Sequence, residues 1–189
     1  MSDEPGGFPA GRELSLAGAA AGLGDAPGDT AALLLAALEA RGWTLAVAES
    51  LTGGAVCARL VDVPGASRVL RGGVVSYATD VKASLLGVPD DLLAERGAVD
   101  PDVAGAMAAG VRDRLGASVG LATTGVAGPD PQDGRAPGTV FVAVVTPLTS
   151  RIASWQFPGD RAAVRRATVG GVLEMALEMA REQDAPPSR

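Results

Sequence analysis

The chain has 189 residues, 47% of them apolar, enough for one domain with a real core, and 22 acidic against 16 basic side chains leave a net charge of −6. With 0 histidines and 1 cysteine, Cys57, it excludes a Ser-His-Asp triad, a Cys-His dyad, His-ligated zinc, an internal disulfide and a multi-cysteine metal site; no metal and no cofactor is expected. The acidic balance argues against a nucleic-acid partner, no apolar run suggests a membrane span, and the start Met1-Ser2-Asp3-Glu4-Pro5 is unlike a signal peptide, so a cytoplasmic location is expected.

Residues 1–28 are rich in Gly, Pro and Ala, and read with 184–189 as disordered tails around a domain over 29–183. Asp29 or Thr30 caps a helix with a Leu34, Leu35, Leu38 stripe, ended by Gly42. Thr44 to Ala48 is a buried strand, and a helix follows from Ala55 to Val61. Val69 to Tyr77 has strand character, with Gly72-Gly73 marking a bulge or close approach. Thr79 or Asp80 caps the next helix, which ends near Gly87, and a short helix covers Asp90 to Arg96. Asp100-Pro101 opens a helix whose Val103, Met107, Val111 and Leu115 form the core face. Val119 to Thr124 is a strand, followed by a Gly/Pro/Asp loop from Gly125 to Ala136. Thr139 to Thr146 and Arg151 to Phe157 are strands whose short connection suggests an antiparallel pair. Asp160 caps a long final helix with Val164, Thr168, Val172, Met175 and Met179 on one side. This alternation of helices and strands indicates an α/β fold with a mostly parallel mixed sheet covered by helices.

Ligands bind at the carboxyl ends of strands in open α/β sheets, and three loops here leave strand ends. Ala48-Glu49-Ser50-Leu51-Thr52-Gly53-Gly54 puts a serine where a strand becomes a helix, with glycines that let backbone N–H groups approach a ligand. Alone it equally suits a serine cap. Thr123-Thr124-Gly125-Val126-Ala127-Gly128-Pro129 repeats that logic. In the third, Gly73 to Lys82, a cap at Thr79 puts Lys82 in the first helical turn, where the helix dipole disfavours its ammonium form. A neutral lysine can take a proton from a serine hydroxyl. Lys82 is the sole lysine among 16 basic residues, and arginine cannot replace a removable proton; Tyr77 is likewise the sole tyrosine.

Together these loops resemble the CinA C-terminal domain family of nicotinamide-nucleotide amidohydrolases. The resemblance rests on Ala48-Glu49-Ser50-Leu51-Thr52-Gly53-Gly54, on Gly72-Gly73-Val74-Val75-Ser76-Tyr77 followed by Lys82, and on Thr124-Gly125-Val126-Ala127-Gly128-Pro129. It extends to Gly138-Thr139-Val140 and Gly159-Asp160-Arg161, and runs from about Thr30 to Ala180. Three positions depart from the family pattern: Leu51 for a frequent Cys, Asp100 for a common Ser, and Arg135 near a common Lys. The resemblance covers the C-terminal domain alone, and nothing of the molybdopterin-binding-like domain of longer members is carried over.

The resemblance implies a three-layer α/β/α sandwich, a homodimer, and hydrolysis of nicotinamide mononucleotide to nicotinate mononucleotide and ammonia. Ser50 is then the expected nucleophile and Lys82 its base, with Tyr77 relaying a proton or holding Lys82, and Thr124 bonding the serine or the substrate. Backbone donors near Thr52, Gly53 and Gly54, or near Gly125, Ala127 and Gly128, are candidates for the oxyanion. Arg161 is a candidate for the 5′-phosphate, and Glu49 either orients Lys82 or caps backbone groups. Arg165 and Arg166 read as a solvated helix face, and Asp130 to Gly134 as a turn. The competing reading is a non-catalytic nucleotide-binding or regulatory module associated with competence or DNA damage.

Overall fold

The computed structural model describes residues 29–182. The tails expected over 1–28 and 184–189 lie outside the described residues.

Helix α1 (Thr30–Ala40) starts at Asp29, whose side chain accepts from the Ala31 and Ala32 N–H groups. Gly42 follows its end at φ 66°, where the Trp43 N–H returns to the Leu38 carbonyl. Strand β1 (Leu45–Glu49) begins one residue later than expected and so takes in Glu49. After α2 (Ala55–Val61), β2 (Leu70–Val75) pairs in parallel with β1, and Arg71 is the extra residue of a bulge opposite Leu45 and Ala46. The glycine pair here serves close approach, since a Cβ on Gly73 would stand 2.2 Å from the Cys57 sulfur.

Helices α3 (Thr79–Leu86), α4 (Asp90–Arg96) and α5 (Pro101–Leu115) follow. The N-cap of α3 is Ala78, which makes no side-chain cap bond; the expected cap at Thr79 or Asp80 is displaced by one or two residues. Asp100 caps α5 as expected, accepting from the Asp102 N–H. The chain closes with β3 (Val119–Gly125), β4 (Thr139–Val145), β5 (Ser150–Gln156) and α6 (Arg161–Glu182).

The sheet order is β2-β1-β3-β4-β5. The β1/β2 and β1/β3 pairs are parallel and the β3/β4 and β4/β5 pairs antiparallel, so β4 alone runs against the other four strands. Alternation along each strand sends side chains to two separate cores. Leu45, Val47, Leu121, Val142 and Val144 pack beneath α1, α2 and α6. Ala46, Ala48, Ala122 and Ala143 pack beneath α3, α4 and α5. The second face is lined by small residues because α5 lies close to it: a Cβ on Gly120 would sit 1.9 Å from the Ala108 carbonyl oxygen of α5.

This order places a topological switch at β1. The chain leaves β1 for β2 on one side, then returns to add β3 on the other. The carboxyl ends of β2, β1 and β3 therefore lie side by side, and their loops diverge to open a crevice. The ladder continues past the strand ends, with the Ser50 N–H on the Thr123 carbonyl at 3.0 Å and the Ser76 N–H on the Glu49 carbonyl at 2.9 Å.

Candidate active site

The crevice is lined by Ser50 and Leu51 after β1, Tyr77 after β2, Ala98 and Val99 before α5, Thr124 and Gly125 at the end of β3, Val126 to Gly128 with Asp130 and Gln132 in the loop that follows, and Arg161 at the head of α6. Three distant sequence segments meet at one pair of side chains. The Lys82 Nζ lies 3.2 Å from the Ser50 Oγ. Lys82 is fully buried, and burial pushes its pKa down from 10.5 to about 8, while the charge of Asp133 acts in the opposite sense. Its Nζ also donates to the Ser76 carbonyl at 2.7 Å and reaches the Tyr77 carbonyl at 3.4 Å. A neutral amine has two N–H groups and one lone pair. The ammonium form donates to the Ser50 Oγ as well, whereas in the neutral form, with its N–H groups on those two carbonyls, the lone pair is left for the serine hydroxyl.

Glu49 is fully buried with its carboxylate turned into the start of α2. It accepts from the Gly54, Val56 and Cys57 N–H groups at 2.9, 3.1 and 2.9 Å. Of the two roles the sequence allowed, it caps backbone groups rather than orienting Lys82. That use is physically demanding: α2 begins at a glycine with φ 96° and no side-chain cap of its own, so the first-turn N–H groups need an acceptor. The same carboxylate, with burial as the larger cause, pushes the Cys57 thiol up to about 12, so this cysteine is a packed thiol rather than a nucleophile.

Other expected roles change with the geometry. The Tyr77 phenol is 60% exposed and accepts from Arg161 at 2.7 Å. It therefore stands at the mouth of the crevice and does not relay a proton from Lys82; only its carbonyl approaches the amine. The Thr124 hydroxyl donates to the Ala98 carbonyl at 2.7 Å instead of bonding the serine. Thr52 is fully buried, its hydroxyl 2.7 Å from that of Thr123, so its side chain is part of the loop's scaffold. The Gly53 N–H is taken by the Ser50 carbonyl and the Gly54 N–H by Glu49, which removes both from the candidate oxyanion donors. In the second loop Gly125 pairs with Val140 in the sheet, while Ala127 and Gly128 line the crevice. Arg161 is exposed yet engaged, donating to the Gly128 carbonyl at 2.9 Å as well as to Tyr77.

Two contributors escaped the sequence reading. Arg165 is not a solvated residue: it donates to the Leu51 carbonyl at 3.0 Å and to the Thr52 carbonyl at 2.7 Å. In a trans peptide the C=O and the following N–H point in opposite directions. Holding those carbonyls toward α6 turns the Thr52 N–H away from α6. The available signal was the four-residue spacing from Arg161, which puts both arginines on one helical face. The second is Asp133, whose carboxylate accepts from the Ala98 and Val99 N–H groups at 2.7 and 3.3 Å. Among the described residues no cluster of His, Cys, Asp or Glu could hold a metal ion, and no helix is long and apolar enough to cross a membrane.

Comparison with known proteins gives this crevice a family. The family model described as the CinA C-terminal domain matches residues 28–180. A CinA-like protein of Frankia casuarinae is 53% identical over 147 residues, covering 78% of this chain and 34% of that protein. A CinA-like protein of Gemmatimonas aurantiaca is 47% identical over 143 residues, covering 75% of this chain and 33% of that protein. The chain thus spans about a third of the length of the curated relatives it matches. Among solved structures, a competence-damaged protein (CinA) superfamily protein from Klebsiella pneumoniae superposes with a TM-score of 0.79 at 30% identity, covering 82% of this chain and 97% of that one. A competence/damage inducible protein from Agrobacterium tumefaciens gives a TM-score of 0.74 at 32% identity, with 82% and 99% covered. Matched over nearly all of its described residues in sequence and in fold, the chain belongs to the CinA C-terminal domain family.

Proposed function

We propose that this domain is an amidohydrolase that converts the carboxamide of nicotinamide mononucleotide to the carboxylate, releasing ammonia. The observation that carries the reading is the buried Ser50–Lys82 pair, 3.2 Å apart, with the lysine's pKa brought down to about 8. A module that only binds a nucleotide has no need of a buried, titratable lysine beside a serine. Burial of an ammonium disfavours folding, so its retention points to a use for the neutral form.

In the proposed reaction the Ser50 Oγ attacks the carboxamide carbon while its proton passes to the Lys82 Nζ. The carbonyl oxygen becomes an oxyanion held by the N–H groups of Leu51 and Thr52, the residues directly after the nucleophile. Arg165 fixes the peptide that presents the Thr52 N–H. Collapse of the tetrahedral intermediate breaks the C–N bond, and Lys82 returns the proton to the departing nitrogen as ammonia leaves. Water then attacks the Ser50 ester by the same route in reverse, with Lys82 taking its proton. One oxyanion donor contributes about 3 kcal/mol to such a transition state. Arg161 and Tyr77, paired at the mouth, are the proposed contacts for the nucleotide's phosphate end, with no nucleic acid or membrane involved. A homodimer in the cytoplasm completes the proposal.

Incubation of purified protein with nicotinamide mononucleotide should release ammonia, with a rate that rises with pH through a limb near 8 as Lys82 loses its proton. Release no greater than that of a folded Ser50→Ala variant, together with saturable binding, would instead establish the binding module.

A further inference from the structure

The loop between β3 and β4 carries a feature that the proposed chemistry does not use. Gln132 and Arg135 exchange backbone hydrogen bonds at 3.1 and 2.8 Å, forming a miniature hairpin. Its tip is Asp133-Gly134, at φ 49° and 71°, the left-handed pair that a tight hairpin turn requires. Asp133 is the one non-glycine residue with positive φ among those described. That conformation is held by what its carboxylate reaches: the Ala98 and Val99 N–H groups. Gly97 accommodates the contact, since a Cβ there would lie 2.8 Å from the Asp133 carboxyl carbon. Arg135 adds a second tie, its guanidinium 3.6 Å from the Asp100 carboxylate.

The strand of chain that Asp133 grips is part of the crevice. Ala98 and Val99 line it together with Ser50, and the Ala98 carbonyl receives the Thr124 hydroxyl. The crevice and the elements around it bring other charged or titratable groups, including Asp130 of the same loop, Glu49, Tyr77, Asp80, Asp100 and Arg161. Asp133 is the one whose charge acts on Lys82, favouring the ammonium against the larger effect of burial.

We propose that Asp133 is a positioning residue of this site, docking the β3–β4 loop onto residues 98 and 99 so that the crevice wall and the Thr124 hydroxyl are fixed beside the Ser50–Lys82 pair. The inference rests on the reading of that pair as nucleophile and base. Its carboxylate does two separable things: it accepts two N–H groups, and it stations a negative charge near the base. Asp133→Asn keeps an acceptor oxygen and removes the charge. Asp133→Ala removes both.

Lys82 is the only lysine in the sequence, so protein labelled with 13C-lysine gives one side-chain signal whose titration reports this amine directly. In the unsubstituted protein the midpoint is expected near 8, so that about one lysine in eleven is neutral at pH 7. Asp133→Asn should move the midpoint down and raise that neutral fraction, while Asp91→Asn, on the exposed side of α4, should leave it in place. Asp133→Ala should in addition speed amide exchange at Ala98 and Val99 relative to Asp133→Asn and raise KM for nicotinamide mononucleotide. An Asp133→Asn titration superimposed on the parent's, or unchanged exchange at both amides in Asp133→Ala, overturns the proposal. Neither measurement needs turnover. A protein that releases no ammonia yet shows both effects loses the amidase reading and keeps Asp133 as the residue that shapes the crevice.

Discussion

Replacing Lys82 by Met puts a linear apolar side chain where a buried amine stands, and its effect on stability should depend on pH in a way fixed by that amine. The ordinary lysine pKa is 10.5 and the folded value is about 8, with burial as the cause. The folded state therefore binds fewer protons than the unfolded state between those values, and stability contributed at this site rises with pH across that window. At pH 7 the protein must either strip or bury the ammonium, which disfavours folding by about 3 kcal/mol; at pH 10 that penalty is about 1 kcal/mol. Met at 82 has no such penalty, but it leaves the Ser76 carbonyl without the 2.7 Å donor it has now. That second effect is nearly independent of pH, so it cancels when the two proteins are compared at two pH values. Urea unfolding of both proteins at pH 7 and pH 10 should show the parent gaining about 2 kcal/mol relative to Lys82→Met. A stability difference that stays constant from pH 7 to pH 10 would refute a depressed lysine pKa and, with it, the proposed base.

Three other substitutions probe the scaffold around that pair. Glu49→Gln leaves one side-chain oxygen for three N–H groups and should cost about 2–4 kcal/mol in urea unfolding, since charge-assisted bonds at a helix start are lost. Arg165→Met keeps the stem but frees the Leu51 and Thr52 carbonyls; kcat for ammonia release should fall roughly 10- to 100-fold with a smaller change in KM, and an unchanged kcat would remove Arg165 from the loop's support. Gly120→Ala drives a Cβ to 1.9 Å from the Ala108 carbonyl oxygen and should destabilise the fold by about 3 kcal/mol, measured by the urea midpoint.

The elements of this fold are legible because its signals are local. Asp29 and Asp100 cap the helices they precede, and Asp160 accepts from the Ala163 N–H at 2.8 Å at the start of α6. The elements run αβαβαααβββα, each where the sequence places a helix or strand, with a single 3-10 turn over Ala66–Arg68 besides. The cap of α3 is the instructive exception. Thr79 and Asp80 are good capping residues, but the helix begins at Thr79 after an Ala78 cap with no side-chain bond, while the Lys82 Nζ of its first turn bonds back to the Ser76 and Tyr77 carbonyls.

The composition alone restricted the chemistry. Without histidine, any serine nucleophile needs another base, and a single lysine among sixteen basic residues names where to look. What the sequence could not assign is the partner of each polar group, because partners are chosen by the packing of distant segments. Glu49 and Ser50 are adjacent in the chain, yet strand alternation turns one into the head of α2 and the other toward Lys82. Tyr77 and Lys82 are five residues apart, yet the start of α3 sends the amine inward and leaves the phenol at the mouth. Arg165 reads as a surface residue until α6 is laid beside the serine loop, and Asp133 as a turn residue until its hairpin meets residues 98 and 99. The sequence determined which elements form and which residue types are available for chemistry; the sheet order, by setting three strand ends side by side, decided which of them meet.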